Sequence, residues 1–322
     1  MRMFLAAALS ALSLLAPFSS ANAQPYPNHT IKIIVPYGAG GVDVQMRLAQ
    51  PFMEATLGQR LIIENRPGAG AILGTLAVRN SPADGYTLLF TGTSALSVVP
   101  HMKKVQYTMD DFIPIGNLTG TALAVVAREN APYKTIQELI AYAKQNPGKV
   151  HFASSGVGTT THMIGEALQV ATGVKFTHVP FTGMAQSISG MLSETADISI
   201  GIPSAFMGQI KAGSLRAIAT TGNKRSEFLP DAPTLKEAGV NLVEETKFGL
   251  LAPKGVPASA INTLANALKI AVQTKEFSDK MRASNITPFY LDSAGFASAL
   301  RQEDELWASL LKRPEFRAII EN

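Results

Sequence analysis

Short apolar runs alternate with small-residue loops and longer amphipathic stretches along this chain. Ile31, Ile33, Ile34 and Val35 are β-branched and predict a short buried strand, which Pro36 ends because proline cannot donate to a sheet ladder. Gly38-Ala39-Gly40-Gly41 follows as a loop with little side-chain bulk, and Asp43 stands where it can cap a helix opening at Val44. That helix is expected to reach about Leu57, with Val44, Leu48, Phe52 and Ala55 on its apolar face and a kink at Pro51. Leu61 to Ile63 is a second strand, the loop Glu64 to Gly70 leads into a helix over about 71–80, and Asp84-Gly85 turns the chain into the strand Tyr86 to Phe90. Thr91-Gly92-Thr93-Ser94 then opens towards another helix. Three βα units in a row, each ending in a small or glycine-rich loop, predict a doubly wound α/β lobe.

The pattern restarts at the apolar strand Leu123 to Ala127. Thr135-Ile136-Gln137-Glu138 is a capping box for a helix ending near Asn146, and Val150 to Ala153 is the next strand. Ser154 to Thr161 repeats the strand, glycine loop and helix device, with the helix expected over His162 to Thr172. Phe176 to Val179 runs into Pro180-Phe181-Thr182-Gly183, and Ala196 to Ile200 and Leu215 to Thr220 are further strands, with a helix over about 204–212 between them. Phe248 to Leu251 carries the chain back. Amphipathic helices follow over about 258–273 and 294–312, the second showing Phe296, Leu300, Trp307 and Leu311 on one side. The expected architecture is therefore two doubly wound α/β lobes joined by two crossover strands, near Leu123 and Phe248. The first lobe comprises residues 24–123 and 247–322, the second 124–246. A double crossing permits a hinge and a ligand cleft between lobes.

The first 23 residues stand outside this pattern. Arg2 precedes an apolar run from Phe4 to Ala16 that is too short to span a bilayer, and Ala21-Asn22-Ala23 is a cleavage signature. They form the expected signal peptide, cleaved after Ala23, which implies an exported protein. The chain has no cysteine, so disulfides, thiolate chemistry and a lipidated N-terminal cysteine are excluded. A formal charge of +4 without a basic run suits an anionic small ligand and gives no nucleic-acid footprint.

Catalytic patterns are sparse. Ser154, Ser155 and His162 lie close in sequence, but no G-x-S-x-G surrounds them. His162 and Glu166 are one helical turn apart, two ligands short of a zinc site, and no H-E-x-x-H occurs among the five histidines. Asp43 stands where a G-x-G-x-x-G fingerprint needs its third glycine, and neither main glycine loop supplies Gly-Lys-Ser/Thr. No cofactor or metal is expected. What remains is two strand, glycine loop and helix N-terminus devices, each an anion cradle of free N–H groups at the positive end of a helix dipole.

Several motifs in order carry a family resemblance: Tyr26-Pro27 with IKIIVPYGAGGVD; IIENRPGAGAILG from Ile62; ADGYTLLF from Ala83; FASSGVGTTTHMIGE from Phe152; HVPFTGMAQS from His178; IPSAFMGQIKAGSLRAIA from Ile202; and LPDAPTLKEAG before FGLLAPKGVP. The chain resembles the Bug-type solute receptors of tripartite tricarboxylate transporters. The resemblance implies a type II periplasmic binding protein, a Venus flytrap that captures a small carboxylate and delivers it to integral-membrane permease subunits as a monomer. Taken with the loops at the strand ends, it makes the expected ligand-binding set Tyr37, Gly38, Ala39, Gly40, Gly41, Thr91, Thr93, Ser94, Ser154, Ser155, Gly158, Thr159, Thr160, His162, Phe181, Thr182 and Gly201. An exported sensor or an exported hydrolase are the alternatives. Gly201 stands where the family commonly has an aspartate. The expectation is a ligand without an ammonium group, with room at Gly201 and Ser199 for a bulkier carboxylate.

Overall fold

A computed structural model describes residues 25–314 and Phe316. The expected signal peptide and its cleavage site lie outside the described residues. The chain runs β1 (Ile31–Val35), α1 (Val42–Leu57), β2 (Leu61–Asn65), α2 (Ile72–Arg79), β3 (Thr87–Gly92), the single turns α3 (Ser94–Ser97) and α4 (Val99–Met102), and β4 (Phe112–Ala122). It continues with β5 (Ala124–Arg128), α5 (Ile136–Gln145), β6 (Val150–Ser154), α6 (Thr160–Thr172), β7 (Phe176–Pro180), α7 (Met184–Leu192), β8 (Ile198–Gly201), α8 (Pro203–Lys211) and β9 (Leu215–Thr220). β10 (Glu245–Pro253), α9 (Ala258–Gln273), α10 (Lys275–Ala283) and α11 (Ser293–Leu310) complete it.

Two five-stranded sheets result, ordered β2-β1-β3-β10-β4 and β7-β6-β8-β5-β9. Each is mixed. β1 pairs in parallel with β2 and β3, whereas β10 runs antiparallel to β3 and β4. In the second sheet β6 is parallel to β7 and β8, and β5 is antiparallel to β8 and β9. Each sheet anchors one lobe of a two-lobe α/β architecture. β1 is central and covered on both faces, which is why Ile33, Ile34 and Val35 read as a continuous apolar run and are buried. Full burial of such a side chain contributes about 1.5–3 kcal/mol. Phe296, Leu300, Trp307 and Leu311 are buried as their spacing predicted.

Three elements add to the sequence reading: β4, α7 and α10. Two expectations are corrected. α1 opens at Val42 with Gly41 in the cap position, so Asp43 lies inside the first turn. Its buried face is Gln45, Met46, Ala49 and Met53, with Ala55 exposed and Val44, Leu48 and Phe52 half-buried. α1 continues through Pro51 to Leu57.

The chain passes between the sheets at residues 122–124, from β4 into β5, and returns through residues 221–245 into β10. Thr221 clasps the two passages. Its N–H donates to Leu123 O (2.8 Å) and its hydroxyl donates to Glu244 O (2.6 Å) while accepting from the Leu123 N–H (2.9 Å).

Candidate functional site

The strand ends of both sheets face one another, and the loops there meet across a narrow cleft. The Thr160 N–H of the second lobe donates to Ser94 Oγ of the first at 3.1 Å. Glycines set how close the lobes come. A Cβ placed on Gly70 would lie 2.0 Å from Val157 O, and one on Gly183 would lie 3.4 Å from Gly38 N. Gly70 also has φ +69°, where side chains other than glycine are strained.

Between these contacts lies a cavity with an empty volume of about 480 Å³, counting the part open to solvent. Seven expected residues line it: Tyr37, Gly38, Gly41, Ser94, Ser155, Thr159 and Thr160. Val42, Leu123, Thr161, Gly183, Met184, Ile202, Thr246 and Phe248 complete the wall. No acidic or basic side chain is among the lining residues. Five of these additional residues, Val42, Leu123, Met184, Ile202 and Phe248, are apolar.

The polar wall belongs to the second lobe. Ser155, Thr159 and Thr161 form a ring of hydroxyls, with Ser155–Thr161 and Thr159–Thr161 contacts of 2.9 Å each and Ser155–Thr159 at 3.3 Å. Behind them, α6, α7 and α8 all begin at the cavity. Their cap positions are Thr159, Gly183 and Ile202; none of the three helices makes a side-chain cap bond or has an acidic residue in its first turn. Among the described residues, no protein acceptor takes the N–H groups of Thr161 and His162. Unsatisfied first-turn donors with a helix dipole behind them favour an anion.

The first lobe is different. The Gly40 and Gly41 N–H groups donate to Asp43 Oδ1 at 2.9 and 3.2 Å, and Arg47 Nε pairs with Asp43 Oδ2 at 3.1 Å. Two donors of the expected cradle, the Gly40 and Gly41 N–H groups, are thus taken by the chain's own buried carboxylate, while among the described residues no protein acceptor takes the Val42, Asp43 and Val44 N–H groups of α1. Ala39 and Gly40 are exposed and are not among the residues that line the cavity.

The remaining expected residues sit around rather than in the cavity. Thr91 is buried behind Tyr37, sharing a 3.1 Å hydrogen bond with its hydroxyl, and Thr93 is buried beside it. Burial pushes the Tyr37 hydroxyl above its ordinary pKa. Gly158 packs near Val99 of the first lobe. Phe181 and Thr182 line a neighbouring cavity that shares Tyr37 and Ser155 with the first. Gly201 does not open space: a Cβ there would lie 2.4 Å from Met184 Cε, so the methionine already fills the gap. Ser199 is buried too, sharing a 2.8 Å bond with Ser187. The expectation of extra room at these two positions is therefore corrected.

Ser154 and His162 belong to a buried cluster behind the hydroxyl ring. Ser154 Oγ meets His178 Nε2 at 2.7 Å and accepts from the Gly156 N–H at 3.1 Å. The serine's partner is thus His178 of β7, not His162. His162 Nδ1 accepts the Gly158 N–H at 3.2 Å, and its Nε2 lies 3.3 Å from Glu166 Oε1. Burial lowers the His162 pKa to about 4 and that of His178 to about 3, and raises that of Glu166 to about 8. His162, Glu166 and His178 bring ligand-type atoms within 4.8 Å of one another. However, the two rings stack at 4.1 Å between centroids, so their nitrogens do not converge on one centre. The cluster instead holds the loop ahead of α6 in place.

Comparison with known proteins fits this geometry. The profile of the tripartite tricarboxylate transporter family receptor matches residues 45–315, and the chain belongs to that family. It is 35% identical over 295 residues to the UPF0065 protein in the gbd 5' region of Cupriavidus necator, covering 91% of this chain and 90% of that protein. The solved periplasmic binding protein BugD superposes with a TM-score of 0.84 at 30% identity, covering 89% of this chain and 98% of BugD. MatC from Rhodopseudomonas palustris, solved with bound malate, gives a TM-score of 0.83 at 25% identity, covering 88% and 99%. A second R. palustris protein, solved with adipate, gives 0.84 at 25% identity, covering 89% and 97%.

Proposed function

We propose that this chain is a periplasmic receptor that captures a small carboxylate between its lobes and delivers it to integral-membrane permease subunits. The observation that carries this reading is the hydroxyl ring of Ser155, Thr159 and Thr161 beside the open first-turn donors of α6, in a cavity without acidic side chains. The carboxylate sits against that wall. Malate and adipate in the two R. palustris relatives support carboxylate as the ligand class. Each hydrogen bond to a charged oxygen contributes roughly 1.5–3 kcal/mol, and micromolar binding needs about 8 kcal/mol net. A few such bonds therefore suffice without an arginine.

The lobes divide at residues 24–123 with 247–322, and at 124–246, and they close about the passages that Thr221 clasps. The protein is exported by a signal peptide cleaved after Ala23 and acts as a monomer. It works without nucleic acid and is not an enzyme. Ser154, whose histidine contact is the nearest thing to a nucleophile pair, is buried and lines neither of these cavities, which supports the receptor reading over a hydrolase. The ligand carries no ammonium group, since a buried ammonium needs a paired acceptor and no carboxylate lines the cavity. A thermal-shift screen of di- and tricarboxylates against their amino-acid counterparts, followed by calorimetry, tests this. Carboxylates are expected to raise the melting temperature. Tenfold tighter binding of aspartate than succinate would contradict the ligand class.

A further inference from the structure

One fully buried hydroxyl of the cavity wall has no partner. Thr246 lies on β10, is fully buried and lines the cavity, yet its Oγ1 makes no hydrogen bond among the described residues. The other cavity hydroxyls of known geometry are engaged: Ser155, Thr159 and Thr161 with one another, and Ser94 with the Thr160 N–H. A buried polar atom left unmade is costly, and native structures leave few of them. Thr246 also lines the cavity from β10, a strand of the other sheet from the one that carries α6. Its neighbours along the wall, Leu123 and Phe248, have apolar side chains that cannot pair with it.

We infer that Thr246 is a specificity-determining residue that hydrogen-bonds an oxygen at the second end of the ligand. This rests on the carboxylate reading above. The ligand's first carboxylate takes the α6 wall, its body crosses the apolar residues Val42, Met184 and Ile202, and its far oxygen completes Thr246. That oxygen belongs to a hydroxyl or a second carboxylate. Both can satisfy the threonine, and a methyl end cannot. Because Leu123 lies in one passage between the sheets and Thr246 stands just past the end of the other, the far end of the ligand sits beside the passages about which the lobes move.

The test is calorimetry with straight-chain acids of four to eight carbons in three series: monocarboxylates, ω-hydroxy acids and dicarboxylates. Each is titrated into the wild-type chain, Thr246→Val and Thr246→Ser, after circular dichroism has shown the variants folded. At each length that binds, wild type should favour the oxygen-ended acids. Thr246→Val should weaken the hydroxy acid about 3- to 10-fold, or the diacid about 10- to 100-fold, and leave the methyl-ended acid within about twofold. Thr246→Ser should restore the preference. Equal losses in all three series, or no loss in any, would overturn the role of Thr246 while leaving the carboxylate reading intact. Failure of every acid to bind wild type would overturn both.

Discussion

The two glycine loops look alike in sequence and behave oppositely in the fold. The loop Gly38 to Gly41 leads into α1, and the loop Ser154 to Gly158 leads into α6. Each follows a strand and precedes a helix N-terminus. In the first, Asp43 turns back and takes the Gly40 and Gly41 N–H groups, with Arg47 balancing its charge. In the second, no acid is present in the first turn and the nearby side chains are hydroxyls. One loop already holds a carboxylate at its helix N-terminus, and the other has none. On the reading proposed above, the α6 device captures the anion while the α1 device holds its own carboxylate, and Asp43 makes the difference.

The largest effect should come from blocking the approach of the lobes. Gly70→Ala puts a Cβ against the Val157 carbonyl, a backbone atom that cannot swing aside. If this holds the closed form to about 1% of the population, apparent affinity falls about 100-fold. Small-angle scattering should then show little compaction at a carboxylate concentration that just saturates the wild type. Gly58→Ala is the control, with nearly the same φ, +65°, and no atom within 4 Å of its Cβ. It should cost about 1 kcal/mol of stability and leave affinity unchanged.

Next in size is the anion wall. Ser155→Val removes one hydroxyl donor and should weaken binding about 10- to 150-fold by calorimetry, with a melting temperature close to wild type. Asp43→Asn sharpens the comparison from the other lobe. It weakens the Arg47 pair and the loop bonds, so denaturant unfolding should show a loss of about 0.5–2 kcal/mol. Affinity should change by less than about threefold. A larger affinity loss than at Ser155 would reverse the roles assigned to the loops.

The smallest effect concerns the buried cluster under the second loop. Burial lifts the Glu166 carboxyl from an ordinary 4.5 to about 8. Between those values the folded protein holds a proton that the unfolded chain has released, so stability falls as pH rises through this window. The slope is at most about 1.4 kcal/mol per pH unit. His162 and His178 act in the opposite sense. Their folded values lie below the ordinary 6.5, at about 4 and about 3, so stability falls as pH drops below 6.5. Glu166→Gln should flatten the decline in melting temperature from pH 6.5 to 8.5 and leave the acid-side decline in place. Equal alkaline slopes in the two proteins would contradict the buried neutral carboxyl.

Much of the fold was legible in the sequence because local rules governed it. β9 and α9 match their expected limits, and the buried side of α11 follows its spacing. β4 was not legible, because FIPIGNLTGTA mixes proline, glycine and asparagine into a strand held by its long pairing with β10. α10 is too polar, and α7 too rich in serine and glycine, to stand out from a loop. In the site, the serines and threonines ahead of α6 were visible because chemistry and position coincide there. Thr246, Leu123 and Met184 were not, since only tertiary packing brings the passages between lobes and the start of α7 to the cavity. Asp43 was recognised as a capping residue, but its consequence for the first loop was not: whether a helix-terminal acid fills its own cradle depends on a side-chain rotamer.

The central claim is that the ligand's charge rests on the α6 N-terminus and not on the α1 loop. Backbone amide resonances followed during titration of the tightest-binding carboxylate test it most directly. The account predicts large downfield proton shifts and slowed exchange at the Thr161 and His162 amides, which gain an acceptor. Gly40 and Gly41, already bonded to Asp43, should shift little. Large shifts at Gly40 and Gly41 with little change at Thr161 and His162 would contradict it.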